Sequence, residues 1–169
     1  MAALASLVWG MARALACFGL ILLLGFALAT LLDGLFRTYL DAPIEAVRDL
    51  GPLVAAVGVS ACFPLAVLEK SNIRIHLFDT RLSPQARLWL ERIVDVLTIL
   101  VMAAIARQIL VYAHNAQEGG DATVMLEWST APFWYVVGAC MVIAVASQVV
   151  QFVAEARGAV VAHRSAGED

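Results

Sequence analysis

The chain has 169 residues, of which 62% are hydrophobic and 15% charged, and its formal net charge is −3. A soluble domain of this size does not carry so large an apolar share, and here it is gathered into long runs, which points to lipid-facing segments. The near-neutral balance, with no basic run interleaved with aromatics, excludes nucleic-acid binding.

A helix needs about 20 mostly apolar residues to cross a hydrocarbon core. The first such run, residues 14–32, is uncharged and bounded by Arg13 and Asp33. Arg13, this run and Ala27-Leu28-Ala29 imitate a cleaved signal peptide, but the run exceeds the usual 7–15 residues of a signal core. It is read as a span; cleavage would leave three spans and an external N-terminus. Small residues four apart, Gly25 with Ala29 and Ala56 with Ser60, are candidate points of close helix approach.

Ala42-Pro43 followed by Ile44 and Glu45 reads as a helix start, with Pro at the first turn and an acid near the positive end of the dipole. The second span, 50–68, follows, and Pro64 within it cannot donate to the carbonyl of Ser60. Ser83-Pro84 is another start signal, opening the third helix before its span at 90–112. That span carries Asp95 and Arg107, leaving only Val96 to Ala106 uncharged, about 16 Å of helix. Arg107 lies five residues before Tyr112, roughly 7 to 8 Å, a distance an arginine can cover by snorkelling. Both charges are read as intramembrane structural polar residues. The fourth span, 130–154, opens at Ser129, Thr130 and Pro132. The chain is thus a single all-α integral membrane domain, 1–169, of four transmembrane helices.

Orientation follows the short-loop lysines and arginines. The segment 69–92 holds Lys70, Arg74, Arg81, Arg87 and Arg92, and the chain ends hold Arg13, Arg157 and Arg164. The other two loops hold Arg37, Arg48 and Arg107. This places both termini and the basic segment in the cytoplasm. Trp9 and Trp89 would then anchor the inner interface, and Tyr39, Tyr112, Trp128, Trp134 and Tyr135 the outer one.

Catalytic chemistry has no support in the residues. Cys17, Cys62 and Cys140 lie in apolar runs without CxxC spacing and are read as packing residues. A haem-binding anchor needs histidines within its spans, whereas His76 and His163 lie in inner segments and His114 just past the outer end of span three. There is no phosphate loop, paired-carboxylate site or metal-spaced cluster, so neither an enzyme nor a cofactor is expected. Broken helices, central charges and repeated halves, the marks of a midplane transport site, are also missing. The chain reads as an accessory or scaffold subunit.

The segment Glu69-Lys70-Ser71-Asn72-Ile73-Arg74-Ile75-His76-Leu77 resembles the small membrane subunit of tripartite ATP-independent periplasmic (TRAP) transporters. In that family a basic residue, often Gly-His, then Ile-Arg-Val and an acid close the second span. Lys70, Ile73, Arg74 and Ile75 match; Asn72 stands where His is common and His76 where an acid is common, which leaves the subfamily open. Four spans, a basic inner loop, a Gly119-Gly120 outer loop and an aromatic-Pro entry from Trp128 to Tyr135 extend the resemblance over nearly the whole chain.

The resemblance implies a non-catalytic small permease subunit of the bacterial inner membrane. Its partners would be a large multi-span permease subunit and a periplasmic solute-binding protein, together taking up a carboxylate-bearing solute on an ion gradient. Within that role Lys70, Arg74, Arg81, Arg87 and Arg92 are candidate contacts to anionic lipid headgroups or a partner. Glu118 and Asp121 are candidates for periplasmic docking. Two alternatives stay open on the sequence: the anchor of a respiratory or other membrane enzyme, and the small subunit of a tripartite tricarboxylate transporter.

Overall fold

Inside hydrocarbon a long apolar run satisfies its backbone polar groups only as a helix or a closed barrel. The computed structural model describes residues 2–69 and 84–156. It contains four helices: α1 (Ala2–Leu40), α2 (Glu45–Leu68), α3 (Pro84–Gly119) and α4 (Ala131–Ala156). Each is long and apolar enough to cross a membrane, over Ser6–Leu40, Glu45–Leu68, Arg92–Gly119 and Ala131–Val153. Among the described residues the only strand-like pairing is one antiparallel bridge between Ala122 and Ser129.

The start signals at Pro84 and around Pro132 coincide with the observed ends of α3 and α4. Pro43 does not open α2. The helix begins at Glu45, and Ile44 before it holds extended backbone (φ −87, ψ 94) with no side-chain cap. The amide of Ile44 donates instead to Asp33 Oδ1 of α1, at 2.6 Å. Glu45 occupies the first turn of α2, as the dipole favours. Helices α1 and α3, of 39 and 36 residues, run about 58 and 54 Å and so exceed a hydrocarbon core of about 30 Å. Hydropathy marks the stretch that lipid can cover, whereas the helix continues past Arg13 and Asp33.

The helices pack in a row rather than a closed square. Helix α1 packs on α2, α2 on α4, and α4 on α3. Burial follows this order: 44% and 39% of the most apolar stretches of α2 and α4 are buried, against 11% in each of α1 and α3. The central pair run parallel. The start of α2, through Asp49, meets the α3–α4 connection, while its end, through the Leu68 carbonyl, meets Gln151 late in α4. The edge helices are antiparallel to them. The end carrying the α1–α2 and α3–α4 connections is called the loop end below, and the opposite one the terminal end.

Close approach is set by glycines other than the spacing suggested. A Cβ on Gly19 would stand 2.6 Å from the carbonyl oxygen of Gly58, and one on Gly58 would stand 2.7 Å from Leu23. A Cβ on Gly138 would meet Leu110 at 2.5 Å. These positions seat α1 on α2 and α4 on α3, as small residues do where lipid supplies no hydrophobic drive. A Cβ on Gly25 would meet nothing within 4 Å, so no neighbouring helix approaches closely at that position of the Gly25–Ala29 pair. Of the cysteines, Cys140 is buried as expected, Cys62 is half-buried, and Cys17 is exposed on α1.

Candidate functional site

At the loop end, the α3–α4 connection folds into a short hairpin. The Asp121 amide donates to the Ala116 carbonyl at 2.9 Å, and Gly120 (φ 68) turns the chain out of α3. The Thr123 amide donates to the Trp128 carbonyl at 2.8 Å, and the Thr130 amide to the Asp121 carbonyl at 3.0 Å. At its tip three successive amides converge on one carboxylate of α2. Val124 donates to Asp49 Oδ1 at 3.1 Å, and Met125 and Leu126 to Asp49 Oδ2 at 3.1 and 2.9 Å. An ionised carboxylate can accept several such bonds, and charge assistance makes each stronger than a neutral one. The hairpin is therefore tied to the central helix rather than hanging from α3 and α4. It presents Val124 at 90% exposure, with Met125 and Trp128 also exposed.

A second carboxylate does similar work beside it. Asp33 is 6% exposed although it sits on the edge helix α1. It accepts from the Ile44 amide and from Arg37 Nη2 at 3.3 Å. It thereby ties the last turns of α1 to the start of α2.

At the terminal end the polar groups are amides. Gln148 Nε2 donates to Asp95 Oδ1 at 3.2 Å, joining α4 to α3. Gln151 Nε2 donates to the Leu68 carbonyl, joining α4 to α2. The Oε1 atoms of both glutamines are buried and accept no hydrogen bond from the described residues. Arg92 covers the ring of Phe152 at 5.7 Å from its centroid, adding a cation–π contact between α3 and α4.

The candidate residues separate along these lines. Lys70, Arg74 and Arg81 lie outside the described residues, as does the whole segment 70–77. Arg87 falls in the first turn of α3, and Arg92 is exposed one turn later. Asp95 joins the glutamine cluster. Glu118 is exposed and its Oε1 lies 3.3 Å from His114 Nε2, while Asp121 is exposed at the base of the hairpin. Arg107 is exposed on α3 beside an open groove of about 470 Å³ between α3 and α4. A wider groove of about 680 Å³ runs between α1 and α2, with Asp33, Arg37 and Arg48 along it.

Sequence reasoning missed Asp49, Gln148 and Gln151. A signal existed for the glutamines, which stand three residues apart in an otherwise apolar run and so share one helix face. Asp49 carried none beyond its place at a span boundary.

The sequence profile described as "Tripartite ATP-independent periplasmic transporters, DctQ component" matches residues 26–158. No match was found among curated proteins or solved structures. The matched stretch takes in the later part of α1, all of α2 and α3, and α4 to its end. The chain belongs to the DctQ family, the small permease component of the TRAP transporters.

Proposed function

We propose that this chain is a non-catalytic scaffold subunit that braces the large permease subunit during binding-protein-dependent uptake of a carboxylate-bearing solute on an ion gradient. The observation that supports the bracing role is the row α1–α2–α4–α3. A row encloses little interior, but it offers two broad faces and two long edge helices to its surroundings. Leu20, Ile21, Leu24 and Leu28 on α1, and Leu97, Leu100 and Val101 on α3, are all exposed. Helix α2 is tied at both ends, to the α3–α4 connection by Asp49 and to α4 by Gln151. Such double fixation suits a part that must stay still while its partner moves.

In this reading the chain is a single multi-pass domain of the bacterial inner membrane with both termini cytoplasmic. The loop end then faces the periplasm. Arg87 and Arg92, with Lys70, Arg74 and Arg81, would meet anionic headgroups or the partner at the inner surface. Glu118 and Asp121 would contribute to docking the solute-binding protein beside the tethered hairpin. Asp95 stays a structural residue, satisfied within the bundle by Gln148.

A photo-activatable side chain placed at Leu24 or Leu100 in native membranes tests the scaffold role. The expected product is an adduct with one large multi-span protein from at least one of the two helices. Adducts with lipid and with this chain alone, from both positions, would contradict it.

A further inference from the structure

Arg107 poses a problem that the scaffold role does not solve. It lies within the membrane-crossing part of α3, is exposed, and among the described residues enters no ion pair or hydrogen bond. A charged side chain in hydrocarbon is costly unless it finds a counter-charge or polar headgroups, and such residues by default mark a function. Two pairs of ionisable groups toward the loop end engage each other instead, Arg37 with Asp33 and His114 with Glu118.

The surroundings of Arg107 say what kind of partner fits. It stands on the wall of the groove between α3 and α4, which is lined by Ala103, Ala106, Val142 and Val145 on the side away from the loop end and by Leu110 on the other. His114, two turns nearer the loop end, lines the same groove. Just above Arg107, the rings of Tyr112 and Trp134 pack edge to face with centroids 5.0 Å apart, at the depth where aromatic side chains favour the headgroup boundary. The groove is thus amphipathic along its length. Its lower part is apolar and built on small side chains, and above that it carries a cation within snorkelling reach of the level of the aromatic pair.

From this juxtaposition we propose that the α3–α4 groove is a binding site for one glycerophospholipid, whose phosphate is held by Arg107 and whose acyl chain lies along Ala103, Ala106 and Val145. A guanidinium presents a planar fork of donors that matches two phosphate oxygens, and it is less strongly hydrated than an ammonium. Snorkelling brings it to the phosphate plane, about 7 to 8 Å from its own Cα. The site does not depend on which leaflet the loop end occupies. It differs from the basic segment at the other end of α3, where charges would meet headgroups without a groove for the chain. A carboxylate on a partner subunit could also neutralise Arg107, but it would leave the apolar length of the groove without a matching occupant.

The test uses the full-length chain, purified in mild detergent with the subunits that accompany it. It is titrated with phosphatidylethanolamine and with phosphatidylglycerol, and the bound lipid is counted by native mass spectrometry. One lipid should bind more tightly than the rest. Arg107→Gln should weaken that lipid by about tenfold or more, the loss expected for one charge-assisted hydrogen bond, and Arg107→Lys by less. Ala103→Phe, which keeps the charge but fills the groove, should weaken it as well, so the proposal remains testable if Arg107→Gln does not fold. Unchanged lipid affinity in both Arg107→Gln and Ala103→Phe would overturn the site. Loss of a co-purified subunit from Arg107→Gln with lipid affinity intact would overturn it in favour of a protein carboxylate.

Discussion

The Asp49 carboxylate stands 2.9 Å from the backbone nitrogen of Leu126, across 77 residues of chain. With the amides of Val124 and Met125 also directed at it, one side chain at the start of α2 organises the connection between α3 and α4. This couples the central helix to the loop-end surface where Glu118, Asp121 and the exposed Val124 and Trp128 lie.

Asp49→Asn is expected to loosen this hairpin without unfolding the bundle. An amide offers one acceptor oxygen where the carboxylate offers two and the charge is lost, so at least one of the three N–H groups loses its partner. Hydrogen exchange should show faster exchange confined to Val124, Met125 and Leu126, with α2 itself protected as before. Faster exchange throughout α2 and α4 would mean that Asp49 supports the whole bundle instead.

The α1–α2 contact makes a contrasting pair of glycine substitutions informative. Gly19→Ala places its methyl 2.6 Å from the Gly58 carbonyl, backbone that cannot yield easily. Overpacking of this kind costs about 1 to 3 kcal/mol. Gly25→Ala meets nothing within 4 Å, and alanine's better helix propensity should leave stability unchanged or slightly raised. Reversible unfolding in mixed micelles checks both; equal effects would contradict the packing.

The Asp95–Gln148 hydrogen bond should appear as a coupling between α3 and α4. Interhelical bonds within membranes average about 0.6 kcal/mol, with a maximum of about 1.7. A double-mutant cycle of Asp95→Ala and Gln148→Leu should give a value in that range. Additive single effects would show that the bond contributes nothing to the pairing.

How much of this was legible beforehand varies from element to element. Pro84 and Pro132 announced the starts of α3 and α4, because proline at a first turn has a local cause. Pro43 misled, because a tertiary bond from Asp33 holds Ile44 out of the helix. The row could not be read at all. In lipid every face of a helix is apolar, so no stripe reports which face packs; the close approaches of Gly19 to Gly58 and of Gly138 to Leu110 do. Gln148 and Gln151 were hidden by being uncharged, and the use of Asp49 depends on a residue far along the chain.

Orientation carries its own prediction. With Cys17, Cys62 and Cys140 replaced, Ala122→Cys should react with an impermeant maleimide from outside intact spheroplasts. Leu7→Cys should react only after the membrane is opened. The reverse pattern would place the loop end in the cytoplasm and remove the docking role proposed for Glu118 and Asp121.

The central claim, that this chain works as the small subunit of a transporter complex, is tested most directly by gentle detergent extraction from native membranes and mass spectrometry of what co-purifies. The account predicts a large multi-span permease subunit in stable proportion to this chain. Recovery of redox or catalytic subunits, or of this chain only as its own oligomer, would contradict it.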